Sequence, residues 1–277
     1  MLSGYNRLHE FKLHFYVRQT MSDSAVQPLA EPVPKPAPGL SQIQRVIYTF
    51  TAPSKTFNDI KAGHKSWWLP FLISVAASLL FFAAVNSKIG MRQVAENQIH
   101  LSPKQETQMS NLSVEQRENA MKLSTTITQV AFLATPVLIL VVVAVLSLGL
   151  WGTINFGFGG KASYGSIFVV WMFAGLPGIL KVLLGVITIY AGTAPEAFNI
   201  KNYAPTNIGA FLNPLETNAG LYALLTSLDV ITIWSLALLG IGTAIVAGVK
   251  RSSGLIAVFG WWLLFVLAGA GITAAFA

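Results

Sequence analysis

Apolar positions gather into five long runs separated by polar stretches. The first, residues 67–85 (WWLPFLISVAASLLFFAAV), holds 19 residues without a charge. At 1.5 Å per residue that is enough to cross a hydrocarbon core of about 30 Å. Four more runs follow at about residues 130–151, 163–190, 221–247 and 254–276. Uninterrupted runs of this length read as transmembrane helices, and five of them predict an all-α integral membrane protein, a five-helix bundle over residues 67–277. The first run starts too late to be an N-terminal signal peptide, and Pro70 lies in its first turn, where a missing N–H costs little.

Shorter patterns precede the first run. Ile43, Val46, Ile47 and Phe50 recur at i, i+3, i+4 and i+7, the spacing of one helical face. Pro53 ends that pattern, Ser54 can cap the next turn, and Phe57 and Ile60 with Lys55, Lys61 and Lys65 form a second amphipathic element. Residues 41–66 therefore predict short interfacial helices lying on the membrane surface before Trp67 and Trp68. Upstream, residues 25–40 contain five prolines, each fixing φ and removing a donor, so 1–40 reads as a disordered, Pro-rich cytoplasmic arm. Residues 1–20 resemble neither a signal nor a domain, and Met21, which opens a polar MSDS, is the expected translation start. The segment 86–128 is polar. There Ser102-Pro103 with Gln105, and Ser113 with Gln116, match the capping-box spacing, predicting a helix over 103–110 and another from Val114 into the second span.

Composition agrees with lipid as the main solvent: 53% of residues are hydrophobic, 10% are charged, and the mean hydropathy is +0.59, against about 25% charged in soluble domains. The chain has no Cys, which excludes disulfides, a Cys nucleophile and Cys-ligated zinc. Eight of the 18 Lys and Arg residues precede the first span, pointing to an anionic membrane face and not to nucleic acid. With the N-terminus inside, eleven cations fall on the cytoplasmic face, Lys161, Lys250 and Arg251 among them, and six on the other, so the expected orientation is N-in, C-out with 86–128 as an outer loop.

No catalytic pattern stands out, and the chain reads as a non-enzyme without a cofactor. His9, His14, His64 and His100 are scattered outside the spans, with no i, i+4 pair to hold a metal. Gly159-Gly160-Lys161 has Ala162 where a phosphate loop needs Ser or Thr. Small residues recur at four-residue intervals, as Gly240, Ala244 and Gly248 in the fourth span and Ala270 with Ala274 in the fifth, the usual means of close helix contact in lipid. Pro177 falls mid-span, where it removes a backbone bond and predicts a helix kink. Two ionisable residues lie inside spans, Lys181 in the third and Asp229 in the fourth. Their positions put both about 12–13 Å from the same membrane face, so an intramembrane ion pair between adjacent antiparallel spans is expected. Whether such a pair is structural or part of a permeation site is open at this level.

The stretch YTFTAPSKTFNDIKAGHKSWWLP, followed by five spans, and GGKASYGSIFVVWMFAGLP resemble the YIP family of Ypt/Rab-interacting membrane proteins, more closely its uncharacterised bacterial branch. Phe50, Pro53 and Phe57 carry an aromatic-x-x-Pro-x-x-x-Phe motif, and Tyr164 and Pro177 a Tyr-plus-small opening with a Pro one helix length later. The resemblance implies an integral membrane protein with a cytoplasmic N-terminus and five spans, involved in trafficking in eukaryotes, and here a bacterial inner-membrane location. The Asp-Leu-Tyr-Gly-Pro box of eukaryotic members is absent, which puts a Rab-type GTPase partner in doubt. The expected role is a scaffold or adaptor whose partners are the lipid bilayer, other membrane proteins or itself. The alternative is a small transporter or lipid-handling protein with a polar site between spans three and four. Proteolysis of the detergent-solubilised protein should trim the chain to about residue 40 and stop, because five prolines leave residues 25–40 extended. Protection of that segment would refute the disordered arm.

Overall fold

The computed structural model describes residues 38–276. Among them the chain forms eleven α-helices: α1 Gln42–Thr51, α2 Pro53–Lys61, α3 Trp68–Lys88, α4 Met91–His100, α5 Pro103–Ser110, α6 Val114–Gly152, α7 Tyr164–Ala174, α8 Gly178–Tyr190, α9 Ala219–Ser227, α10 Val230–Ala247 and α11 Arg251–Phe276. The expected arm, apart from its last three residues, and the expected start at Met21 lie outside the described residues. From Gly39 the chain is tied down, the Leu40 N–H donating to Asp59 at 2.9 Å.

Among the described residues five helices are long and apolar enough to cross a membrane: Trp68–Lys88, Val114–Gly157, Tyr164–Tyr190, Val230–Ala247 and Arg251–Ala275. This is the five-span, all-helical architecture that hydropathy predicts. The Lys65 Nζ donates to Ser163 at 2.8 Å, and the Lys161 N–H to the Ala247 carbonyl at 3.0 Å. These contacts gather the ends of α2, α10 and the start of α7 on one side, the near face. Helices α4 and α5 and the 191–218 loop lie on the opposite, far face. Spans three and four form the centre, with 44% of their most apolar stretches buried against protein, compared with 6% for span two.

Both central spans are broken. Pro177 does more than kink span three: the helix is interrupted at residues 175–177, where Leu176 donates to the Phe173 carbonyl at 3.1 Å and Gly178 to Gly175 at 2.9 Å. These i→i−3 bonds replace the helical ladder that proline cannot continue. Span four is likewise not the single helix expected over 221–247 but α9 and α10, separated by Leu228 and Asp229. The two pieces follow one antiparallel register on α11, Gly240 packing against Leu255 and Gly220 against Ala270 and Ala274.

The helices before span one form as periodicity predicts. α1 and α2 fold into a hairpin wedged into the near-face half of the bundle. Ser41 and Gln44 close a capping box at the start of α1, and Pro53 occupies the first turn of α2. Phe57 and Ile60 are fully buried, and a Cβ on Gly242 would stand 2.9 Å from the Phe57 ring, so glycine is what opens the slot. The close fit of Phe57 beside Gly242 and Val170 holds the hairpin to the bundle by packing. Helix α1 turns its polar side inward, with Arg45 and Thr49 buried beside Thr56 of α2, while Ile43 and Ile47 point outward. Arg45 meets Asp59 at 2.7 Å and donates to the carbonyls of His64 and Ser66 at 2.9 and 3.1 Å.

On the far face the Ser113–Gln116 capping box forms and starts α6. The Ser102 box does not: its backbone sits at φ −127°, ψ 98°, away from the ψ near 160° shared by Ser41 and Ser113, and its side chain caps nothing. Helix α4, which no sequence pattern announced, packs against α6. Of the small residues in span four, Gly240 and Ala244 make the seam with α11, whereas Gly248 is the C-cap of α10 at φ 70° and not a packing residue.

A Cβ on Gly254 would lie 2.8 Å from that of Ala244 and against the Gly240 carbonyl. Gly254→Ala should therefore lower the thermal midpoint in detergent by several degrees, the overpacking cost being about 1–3 kcal/mol. Gly260→Ala, which meets open space, should leave the midpoint unchanged.

Candidate functional site

Asp229 occupies the break in span four as the N-cap of α10, where a carboxylate both accepts orphan N–H groups and complements the helix dipole. Its Oδ1 accepts from the Thr232 N–H at 2.9 Å, and its Oδ2 accepts from the Thr206 hydroxyl and lies 3.0 Å from the Lys181 Nζ. The Asp229 side chain is 2% exposed and that of Lys181 22%. Lys181 stands in the first turn of α8, where the dipole disfavours a cation, so the carboxylate offsets a local electrostatic cost. The structure thus brings together the two charges singled out by sequence. The depth argument changes in kind: Asp229 does not project from the interior of a helix but closes the end of one, and α9 supplies the turns between it and the far face.

The third member of the site comes from the 191–218 loop, which folds inward. Thr206 accepts the Val230 N–H on its carbonyl at 3.0 Å, and Asn207 pairs with Asp229 in an isolated antiparallel bridge. Asn207 donates to Asn202 at 2.7 Å and accepts from the Ala210 N–H at 3.0 Å, while Asn202 and Asn199 donate to the Tyr222 hydroxyl at 3.2 and 3.4 Å. Tyr203 packs on Phe81 with ring centroids 4.5 Å apart, and the Lys181 Nζ sits 5.7 Å from the Tyr203 centroid. From α4, Asn97 donates to the carbonyls of Pro195 and Phe198 at 2.8 and 2.9 Å, tethering the loop from outside. Thr206, Tyr203 and the asparagines were not singled out by sequence. The one available signal is their density, three Asn and a Thr within residues 199–207, a composition suited to local side-chain to backbone bonding.

The remaining motif positions lie elsewhere. Phe57 fills the slot beside Gly242, Pro53 opens α2, and Phe50 meets the edge of Trp234 at 5.8 Å. The Tyr164 hydroxyl donates to the Ala144 carbonyl of α6 at 3.1 Å. Phe50, Pro53, Phe57 and Tyr164 therefore join the hairpin and span two to the near half of the bundle, and Pro177 sits one turn before Lys181. Residues 47–272 match the family model described as the Yip1 domain. No curated protein and no solved structure matches the chain.

Removing either charge should expose the coupling. Asp229→Leu strands Lys181, Thr206 and the Thr232 N–H together, whereas Lys181→Met leaves the carboxylate two neutral donors, so the aspartate variant should be the less stable. Breaking a buried pair from one side costs about 3–5 kcal/mol. The double variant should lose less than the sum of the two, by about 0.5–3 kcal/mol, measured as thermal stability in one detergent. Additive losses would mean the charges do not interact.

Proposed function

We propose, because the chain belongs to the Yip1 domain family and carries five membrane-spanning helices, that it is a non-enzymatic scaffold or adaptor of a bacterial inner membrane, with its N-terminus cytoplasmic. The observation that carries this reading is the closure of the Lys181–Asp229 site. The carboxylate is almost wholly buried, three donors converge on it, and the 191–218 loop covers it from the far face. A charge so completely engaged acts as a tie between α8, α10 and the loop, and a tie of this kind suits a protein whose output is a fixed surface. Cytoplasmic placement of the near face is supported by Lys61, Lys65, Lys161, Lys250 and Arg251, which cluster there. The partners of such a scaffold are the bilayer, other membrane proteins or a second copy of the chain.

The second reading, a small transporter or lipid-handling protein using the same polar site, is favoured by one feature. Two interrupted spans flank the pair, and discontinuous helices with facing ends are how transporters build binding sites at membrane depth.

The absence of cysteine makes the discriminating experiment clean. Single cysteines at positions 181 and 206 should resist a membrane-impermeant maleimide from both sides until the protein is denatured. Labelling of either from one side would favour the transporter. Reporter fusions at residue 110 and at Ala277 should both give an external signal, and a cytoplasmic signal from either would overturn the orientation.

A further inference from the structure

A groove of about 700 Å³ runs on the far-face half between α6, α4 and span one, with Tyr203 and Val182 at its floor. That volume falls within the roughly 300–1,000 Å³ of ligand-binding pockets. It is distinct from the Lys181–Asp229 site, from which the Tyr203 ring separates it.

Its wall is graded. Along α6 the lining passes from Ser124 and Thr128 through Phe132 to Ile139, a rise of about 22 Å at 1.5 Å per residue. At the outer end Gln98 and Gln105 join Ser124, and the side chains of these three make no hydrogen bond to any other described residue. Two carboxamides and a hydroxyl offer several free donors and acceptors at one mouth. At the inner end Phe81 and Phe132 stand with centroids 6.1 Å apart, and the hydroxyls of Ser78 and Thr135 beside them are spent on the Ser74 and Ala131 carbonyls of their own helices. No charged side chain lines the groove. The nearest guanidinium, that of Arg92, is spent on Glu96 at 3.0 Å and on Glu118 at 2.9 and 3.0 Å.

From this gradient we propose that the groove is a binding site for one membrane lipid with an uncharged, hydrogen-bonding headgroup. The headgroup meets Gln98, Gln105 and Ser124, and an acyl chain lies along α6 toward Ile139. The setting supplies such an occupant: span two is barely covered by protein, so lipid fills the gap beside it, and the unpartnered amides separate this position from ordinary boundary lipid. An anionic headgroup would find amides but no cation in the groove lining itself.

The test uses the whole chain in nanodiscs with a monoacylglycerol carrying a diazirine on its acyl chain, and peptide mapping after irradiation. Labels should concentrate between residues 127 and 139 and at Phe81. Thr128→Trp, which fills the groove, should reduce them at least fivefold, whereas Val141→Trp on the lipid-exposed side of α6 should not. The Gln98→Ala, Gln105→Ala double variant, which changes no core contact, should reduce labelling several-fold at unchanged thermal midpoint, so the proposal stays testable should Thr128→Trp fail to fold. Labels spread evenly over α6, an unaffected double variant, or a photoreactive phosphatidylglycerol captured as strongly as the monoacylglycerol would each overturn it.

Discussion

The Asp229 carboxylate is the point on which the far half of the molecule depends. A bilayer interior supplies no water to satisfy a backbone that leaves its helix, so each interruption of a span must find its partners within the protein. Here the break in span four exposes the first N–H groups of α10, and Asp229 takes one of them while its other contacts reach Lys181 and Thr206. One side chain thereby fixes three segments that no continuous helix connects: α8, α10 and the inward loop. The loop in turn brings Tyr203 against Phe81 and Gly185, which sets the spacing of spans one and three.

The near half uses the same logic with the signs arranged differently. Arg45 is buried inside the α1–α2 hairpin, paired with Asp59 and donating to two carbonyls at the hairpin's exit. Its network allows the polar side of α1 to face inward, so that Ile43 and Ile47 remain outside where lipid is the solvent. Phe57 then anchors the hairpin in a slot that exists because Gly242 has no side chain. The residues that match the family motif before span one are thus explained by packing: Phe57 is the anchor, Pro53 the turn, and Phe50 the contact with span four.

Span two stands apart from this tightly joined centre. It is held near the near face by Tyr164 and by Trp261 against Gly149, and near the far face by α4, but much of its length borders lipid. A bundle centred on spans three and four, with a second span little buried against protein, leaves clefts beside that span. The far-face groove is one such cleft, distinguished by the polar groups at its mouth.

The number of spans, the helix before and after Pro53, the α6 start at Ser113 and the choice of Lys181 and Asp229 as partners were all legible in the sequence. Each follows from local rules: length against bilayer thickness, apolar periodicity, cap spacing, and the cost of an unpaired charge in lipid. The identity of the third partner was not legible, because Thr206 reaches Asp229 only when the 191–218 loop turns back into the bundle, and loop direction is a property of what it packs against. The same reason hid the wedge: periodicity shows that α1 has an apolar face, but not that Arg45 finds Asp59 within the hairpin. Gly248 and Gly240 share one spacing, yet one terminates a helix and the other seats a neighbour. The sequence alone determined which segments cross the membrane and which residues could not be left alone there. Only the tertiary structure decided where the two central helices break and what satisfies them, since those bonds join residues brought together by folding and not by chain spacing.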